Sequence, residues 1–450
     1  MPKGGLCKVH RRLFIIAVVH LILLRAAVAA GDPSSQSFIS FQEAEGLALK
    51  NSHSIASQEY AVQSAKEDAA AQKVKRYPNF NFDASSTFQS KIGQIVIPQQ
   101  NVQQQIGDHI SWSVGPSLNW VVWDTGQITN KAKSLGMVAE AQNETLDDYS
   151  RQVLLNARTA YIGVQLAKEQ VRLVTDALKL ARAQYADVSE KKNVGTADLL
   201  DQTVAHQEVV DREKDLESAQ GALGVSKRTL VAALGFDPSE QDPDSIDVEA
   251  ISNVMRQLLP KATVAVNVED HPKVKALEDQ MIASELAARS SSARHWPKVS
   301  AYGTSTFQYP NFGQNTTIQQ NQMMLGMHFP ILDWGMISKE SRSYKYQAYS
   351  ASEQKKQAAI DLSRDDSAIR ERIRTLKQIR VANEKAVKDA VDVARLSYDS
   401  YLAGRIIFLD VQRANVKALA VKVDAAQTDA ELATQISRLL ALAEGEGERR

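Results

Sequence analysis

The chain has 450 residues, with 53 basic and 53 acidic side chains and a formal net charge of zero, which excludes a general electrostatic attraction to nucleic acid. Aromatic residues make up only 6%, whereas alanine, glutamine, serine and charged residues are abundant. This composition is typical of long helices with narrow apolar seams rather than of a thick globular core.

The N-terminus has the order of a secretory signal peptide, which we place at residues 1–30. Four basic residues precede an apolar stretch from Leu13 to Leu24, and small residues follow at 26–30. A membrane anchor is the alternative, but the apolar stretch is shorter than the ~20 residues that a spanning helix needs. The only cysteine, Cys7, lies before this stretch, so the mature chain is predicted to contain no disulfide or thiol chemistry.

The first elements expected after the signal are a helix over about 41–75 and two strands, 79–88 and 110–122. In both strands apolar and polar residues alternate with period two, which predicts one apolar and one polar face. The segment between them, 92–108, is rich in glutamine and contains Pro98 and Gly107. We therefore predict a polar surface loop there.

A helix of unusual length is predicted next. Residues 126–191 contain no proline and few glycines, and at 1.5 Å per residue about 65 residues span roughly 100 Å. An apolar seam with spacings of three and four predicts a coiled coil; it comprises Ala157, Ala160, Val164, Ala167, Val171, Val174, Leu178, Ala181, Tyr185 and Val188. Gly195 is placed to end this rod, and a second helix is expected to return over about 197–234.

The second half of the chain repeats the first. It is predicted as a helix over 272–294, strands at 299–309 and 323–331, a polar surface loop at 310–322, a long helix over 335–403 and a return helix over 407–443. Gly126 and Gly195 are 69 residues apart, as are Gly335 and Gly404. A fixed distance implies rigid structure, and the ten extra residues between Phe88 and Gly126 imply a loop of adjustable length.

This pattern predicts the organisation of the whole chain. After the signal peptide at 1–30 come a first repeat at 31–234, an inter-repeat linker at 235–270 and a second repeat at 271–443. The linker begins with an acidic, proline-containing stretch at 235–249 and includes a short helix near 250–259. A disordered tail is expected over 444–450.

The four predicted strands have an apolar face that the rest of the chain is poorly suited to cover, because the remaining segments are helical and mostly polar. A soluble sheet packed on its own core is the alternative. An apolar face for lipid and a polar face for water are typical of an outer-membrane barrel wall. Four strands cannot close a barrel, and open edges are not tolerated in lipid, so the chain is expected to complete the barrel with copies of itself.

Taken together, these features resemble the TolC-type outer-membrane efflux proteins along essentially the whole mature chain. The resemblance rests on the duplicated unit, on the proline before the first strand of each copy, on the junctions Trp123–Gly126 and Leu332–Gly335, and on a tip glycine followed six residues later by Asp. It implies a mainly α protein with a small β part. Three chains would form a 12-stranded outer-membrane β-barrel that is continued by an α-helical periplasmic tunnel.

The resemblance also implies a function and partners. The protein is expected to be the outer-membrane exit duct of a tripartite efflux or type I secretion system in a Gram-negative bacterium. It would conduct substrates passively from an inner-membrane pump of the RND, ABC or MFS type. A periplasmic adaptor, or membrane fusion protein, would open its periplasmic tip.

In this family the two helical tips dock the adaptor and hold the tunnel closed. Val194, Gly195 and Thr196 match the docking motif of the first tip, whereas the second tip matches only at Gly404. For each glycine, a role as a turn former alone is the alternative.

The resemblance implies a gate at Asp201 and Tyr401, the positions that match the family's closing pair. The family's gate arginine is replaced by Ile406 here, so the adjacent Arg405 is the expected substitute. Asp410 matches a constriction aspartate, while Arg413 stands where the family has a second one. The alternatives are helix-start carboxylates favoured by the helix dipole for the aspartates, and seam packing for Tyr401.

No enzyme is predicted. The eight histidines show no pair at metal-ligand spacing, and we find no phosphate-cradling loop or nucleophile elbow, so neither a catalytic site nor a metal or cofactor is expected. The rival interpretation is a periplasmic coiled-coil scaffold or adaptor protein.

Overall fold

The computed structural model of the chain describes residues 37–97, 102–105, 107–239, 241, 246–311 and 314–443. The predicted signal peptide and the predicted tail at 444–450 lie outside these residues. The chain forms two compact units. We call the one that contains Ala160–Val254 and Val387–Ala426 the tip unit, and the one that contains Leu47–Thr159 and Met255–Ala386 the sheet unit.

The described residues are mainly helical with a smaller β part. The strands are β1 Ser37–Ile39, β2 Asn79–Phe88, β3 Gln94–Ile97, β4 Val102–Gln105, β5 Ile110–Trp123, β6 Ile246–Val248, β7 Lys298–Tyr309 and β8 Ile318–His328. The helices are α1 Phe41–Asn51, α2 His53–Val74, α3 Gln127–Asn193, α4 Leu199–Ala233, α5 Ile251–Leu258, α6 Pro272–Ala293, α7 Met336–Leu402 and α8 Phe408–Ala443. A 3₁₀ helix covers Leu259–Thr263. Within the described ranges, no helix is both long enough and apolar enough to cross a membrane.

The sheet unit contains one antiparallel sheet in the order β2-β5-β7-β8. Its register places apolar side chains from all four strands on one face: Phe80, Phe82, Val114, Leu118, Phe307, Ala301, Leu325 and Met327. The opposite face is polar, and Ser117 donates a hydrogen bond of 2.5 Å to the Asp83 carboxylate there. The alternation predicted for the strands is therefore confirmed.

The helices of the sheet unit follow the same order as the strands that they adjoin. α2 leads into β2, β5 leads into α3, α6 leads into β7, and β8 leads into α7. Hydrogen bonds join successive helices in the order α2-α3-α6-α7: Gln142 to Gln58 at 3.1 Å, Ser134 to the Ala283 carbonyl at 2.7 Å, and Ser292 to Ser341 at 2.7 Å. The order of the helices therefore matches the order of the strands in the sheet.

The two strand-to-helix junctions have the same backbone geometry. In the second copy, Asp333 accepts hydrogen bonds from the amides of Gly335 and Ile337, each at 2.9 Å, and so caps the start of α7. Trp334 and Gly335 both adopt positive φ, 52° and 81°. The first copy repeats this at Asp124, Thr125 and Gly126. The hydrophobic-Asp-x-Gly pattern is therefore a turn that needs a left-handed backbone and a capping carboxylate.

The tip unit contains a parallel pair, β1 with β6, that the sequence analysis did not predict. The hydroxyl of Tyr161 bridges the C-terminal ends of the two strands, because it donates to the Ile39 carbonyl at 2.8 Å and accepts from the Glu249 amide at 2.9 Å. Burial raises the pKa of Tyr161 to about 12. Phe41 packs edge-on against the same ring.

Three predicted elements were placed incorrectly. The helix expected over 41–75 is two helices, since Ser52 caps the second one by accepting from the Ile55 amide at 3.3 Å. The strand expected at 323–331 runs from Ile318 to His328, because its polar half continues the ladder with β7. The loop expected at 92–108 contains the antiparallel pair β3–β4.

The long rods agree closely with the sequence analysis. α3 and α7 each contain 67 residues and begin and end within two residues of the predicted bounds. Along the seam of α3, Ala157, Val164, Leu178 and Val188 are buried. The boundaries of the two repeats and of the linker stay predictions.

Candidate functional site at the helical tips

Each long helix ends in the same turn. After α3, the Thr196 amide donates to the Lys191 carbonyl at 2.8 Å and the Gly195 amide to the Lys192 carbonyl at 2.9 Å. After α7, the Arg405 and Gly404 amides make the corresponding bonds to Ser400 and Tyr401. Gly195 and Gly404 have φ of 77° and 69°. Both turns are Schellman motifs, in which a left-handed glycine lets the backbone satisfy the last carbonyls of the helix.

The residues predicted to dock an adaptor are exposed at the first turn. Val194 has 70% of its surface exposed, and Gly195 and Thr196 are exposed as well. Leu199, Leu200 and Ile407 are also exposed apolar residues beside the two turns, and the sequence analysis did not select them. The two tips therefore present apolar side chains around rigid turns, and docking of an adaptor stays a prediction.

All four helices near the tips share one apolar cluster. It consists of Val188 from α3, Ala205 from α4, Tyr401 from α7, and Phe408 and Val411 from α8. The hairpin of α3 with α4 and the hairpin of α7 with α8 are therefore packed against each other within one chain. We call them hairpin 1 and hairpin 2.

The two residues of the predicted gate pair, Tyr401 and Asp201, face each other across the two hairpins, but the distance between their oxygen atoms is long for a hydrogen bond. The Tyr401 hydroxyl lies 3.5 Å from the Asp201 carboxylate, whose other oxygen lies 3.4 Å from the Phe408 amide. Tyr401 itself is only 7% exposed. Burial, with the nearby charge of Asp201 second, raises the pKa of Tyr401 to about 12, so the hydroxyl is protonated and can donate.

The other predicted gate residues are arranged differently. Arg413 and Asp410 face each other on α8, with 3.3 Å between the guanidinium and the carboxylate. Arg405 is exposed on the second turn, and its side chain forms no hydrogen bond or ion pair with another residue of the described ranges. The role of Arg405 in the gate stays a prediction.

Further polar contacts join the hairpins. Near the turns, Tyr398 donates to the Asp187 carboxylate, and the Lys191 ammonium donates to the Leu402 carbonyl at 3.3 Å. Gln412 donates to Glu208 at 3.0 Å, and Asn415 donates to Gln184 at 2.8 Å. Gln184 and Glu208 are 3% and 5% exposed. None of these residues was selected from the sequence, since the contacts depend on how one hairpin is rotated against the other.

The N-terminal part of the chain matches a family model. Residues 46–236 match the model described as outer membrane efflux protein. No curated protein sequence matches the chain.

Solved structures with the same fold cover nearly the whole chain. A membrane protein from Pseudomonas aeruginosa is 16% identical with a TM-score of 0.77, over 94% of this chain and 96% of that chain. The outer membrane protein VceC from Vibrio cholerae is 15% identical with a TM-score of 0.75, over 90% and 96%. The Campylobacter jejuni CmeC outer membrane channel is 13% identical with a TM-score of 0.74, over 92% and 90%. At these identities the likeness shows a common fold.

Proposed function

We propose that this chain belongs to the outer membrane efflux protein family, whose model matches residues 46–236, and that it is the outer-membrane exit duct of a tripartite efflux or type I secretion system. It conducts substrates passively from an inner-membrane pump to the outside. Its four-stranded sheet forms one third of a barrel in the outer membrane, and its long helices extend into the periplasm.

The observation that carries this proposal is the sheet. Its apolar face is continuous across all four strands and includes highly exposed side chains such as Phe80, Leu325 and Met327. Its two edge strands, β2 and β8, have backbone groups available for a further strand. An apolar face and open edges together are satisfied when three copies close a 12-stranded barrel in lipid.

The tips supply the periplasmic end of the duct. A passive duct has to be closed there when no pump is engaged, and the contacts between hairpins 1 and 2 provide a means of closure. A periplasmic adaptor docks on the exposed tips around Val194, Gly195, Thr196 and Gly404 and shifts the population toward the open state. The inner-membrane pump is of the RND, ABC or MFS type.

The oligomeric state tests the barrel. Native mass spectrometry of the full chain in detergent is expected to give a trimer, and cell fractionation is expected to place it in the outer membrane. A stable monomer would contradict the barrel. Recovery in the soluble periplasmic fraction would instead support the scaffold interpretation, whose apolar strand face would have to be covered by a protein partner.

A further inference from the structure

We propose that the hydrogen bond between Tyr398 and Asp187 is the main closing contact between the two hairpins, and that Tyr401 acts chiefly as a packing residue. This inference rests on the proposed function, since it assigns the residues that hold the tip of the duct closed. It differs from the expectation drawn from the sequence, in which Tyr401 and Asp201 carry that contact.

The two tyrosine–carboxylate pairs have different geometry. O–H···O hydrogen bonds have lengths of about 2.5–3.0 Å. The separation of 3.5 Å between Tyr401 and Asp201 lies beyond that range, whereas the Tyr398 hydroxyl donates directly to Asp187. Both pairs join hairpin 2 to hairpin 1, so the difference in geometry decides which one resists their separation.

Tyr401 is surrounded by packing contacts that do not involve its hydroxyl. Its ring meets Phe408 edge-on at a centroid distance of 5.2 Å and stacks on Tyr398 at 6.5 Å. The Lys191 ammonium lies 5.3 Å from the ring centroid. Replacing Tyr401 with Phe keeps these contacts and is expected to leave closure nearly unchanged.

The environment of the Tyr398 contact suits a releasable bond. Asp187 is exposed and Tyr398 is half-buried, so water can take over both partners when they separate. Farther from the tip, the Gln184–Asn415 and Glu208–Gln412 contacts are largely buried and costly to break in place. The hairpins therefore separate most readily between Tyr398 and the two turns. The buried contacts farther from the turns keep the two hairpins aligned with each other.

Single-channel recordings of the full-length trimer in planar bilayers test the assignment. An exposed hydrogen bond contributes about a fivefold factor to an equilibrium, and three symmetry-related copies act together. Tyr398→Phe and Asp187→Ala, which removes the acceptor, are each expected to raise the open probability at least about fivefold, and the double variant no more than either single one. Tyr401→Phe and Glu190→Ala, a matched acid one turn away, are expected to behave like the unsubstituted protein.

A second measurement reports on the contact without relying on conduction. Asp187→Cys combined with Tyr398→Cys is expected to be joined within one chain by a bifunctional thiosulfonate reagent about as long as the replaced tyrosine side chain, because the two backbones are too far apart for a direct disulfide. The product is seen as a shifted monomer band on a denaturing gel, and it should close channels until the cross-link is reduced. The assignment is overturned if no cross-link forms, or if Tyr401→Phe opens the channel while Tyr398→Phe does not. If the cross-link forms but neither the unsubstituted nor the reduced protein ever conducts, the proposed duct fails and not the contact.

Discussion

At the scale of single residues, His271 is the most perturbed histidine of the sheet unit. It caps α6, with its Nδ1 accepting from the Lys273 amide at 3.2 Å, so the neutral ring is required for the cap. Burial, followed by the charges of Arg151 and Lys273, lowers the pKa of His271 to about 4. The charged groups around it are Asp148 and Arg151 from α3, Lys273 from α6, Asp365 from α7 and Arg438 from α8.

This environment predicts acid sensitivity of the sheet unit. Because the folded pKa lies below the ordinary value of 6.5, the unfolded state binds more protons as the pH falls, and stability is lost between about pH 6.5 and 4. Between pH 7 and 5 the loss from His271 is on the order of 2 kcal/mol. Urea unfolding followed by circular dichroism should show it.

His271→Asn is the matched variant for this measurement, since asparagine also caps helices but does not titrate. The variant should lose less stability than the unsubstituted protein over the same pH range. The Asp148 carboxyl, whose pKa burial raises, acts in the opposite direction in both proteins. An equal loss of stability in the two proteins would mean that His271 is not the titrating group.

At the scale of elements, the two strand-to-helix junctions are turns whose backbone conformation requires particular residues. At the second junction, hydrogen bonds from the Ile337 and Gly335 amides lower the pKa of Asp333. Trp334 already holds a left-handed backbone that a non-glycine residue adopts at a cost, and Gly335 follows with φ of 81°. The glycine is therefore required by the backbone and not by lack of space, because a Cβ there would meet no atom within 4 Å.

We predict that Gly335→Ala lowers the free energy of unfolding by about 1–2 kcal/mol, since alanine is disfavoured at positive φ. Gly136→Ala is the control. Gly136 lies inside α3 with open space around its Cβ position, so alanine should stabilise the helix by about 0.5–1 kcal/mol. Urea unfolding of the two variants would refute the argument if both moved in the same direction.

The sequence predicted the structure best for the long helices, where the spacing of apolar residues and of glycines follows directly from the helical backbone. The seam of α3 and the ends of both rods could be predicted because the apolar spacing and the tip glycines determine them. On α7, two polar residues, Arg380 and Asn383, interrupt the apolar stripe. Arg380 pairs with Asp429 at 2.8 Å and Asn383 donates to Thr428 at 3.0 Å, so this layer of the coiled coil is polar on both helices.

Pairings between distant segments could not be predicted in the same way. β1 and β6 are three residues long and more than 200 positions apart, too short for a periodic signal. The contact of Tyr398 with Asp187 was missed for a related reason, because it depends on the rotation of one hairpin against the other. The sequence therefore located the tip and the Tyr401–Asp201 pair, but not the other polar side chains that meet between the hairpins.

At the scale of the whole molecule, we expect the balance of charge at the tip to set which ions the proposed duct passes. In the proposed trimer, each chain contributes Asp410 and Arg413, which lie 3.3 Å apart with side chains 46% and 72% exposed. As a pair they carry no net charge, so the arginine offsets the negative charge of the aspartate at the predicted constriction. Removing the arginine charge is therefore expected to reveal a preference for cations.

Arg413→Asp changes the charge of this pair from zero to −2, and the same change occurs in all three chains. We expect the permeability ratio of potassium to chloride, measured from reversal potentials in planar bilayers, to rise roughly two- to fivefold and to fall again as salt screens the ring. Block by multivalent cations should increase in parallel. Arg413→Gln should give an intermediate ratio, because it removes the positive charge without adding a negative one. Unchanged reversal potentials in both variants would show that these side chains lie away from the conducting path, and that the constriction is formed elsewhere.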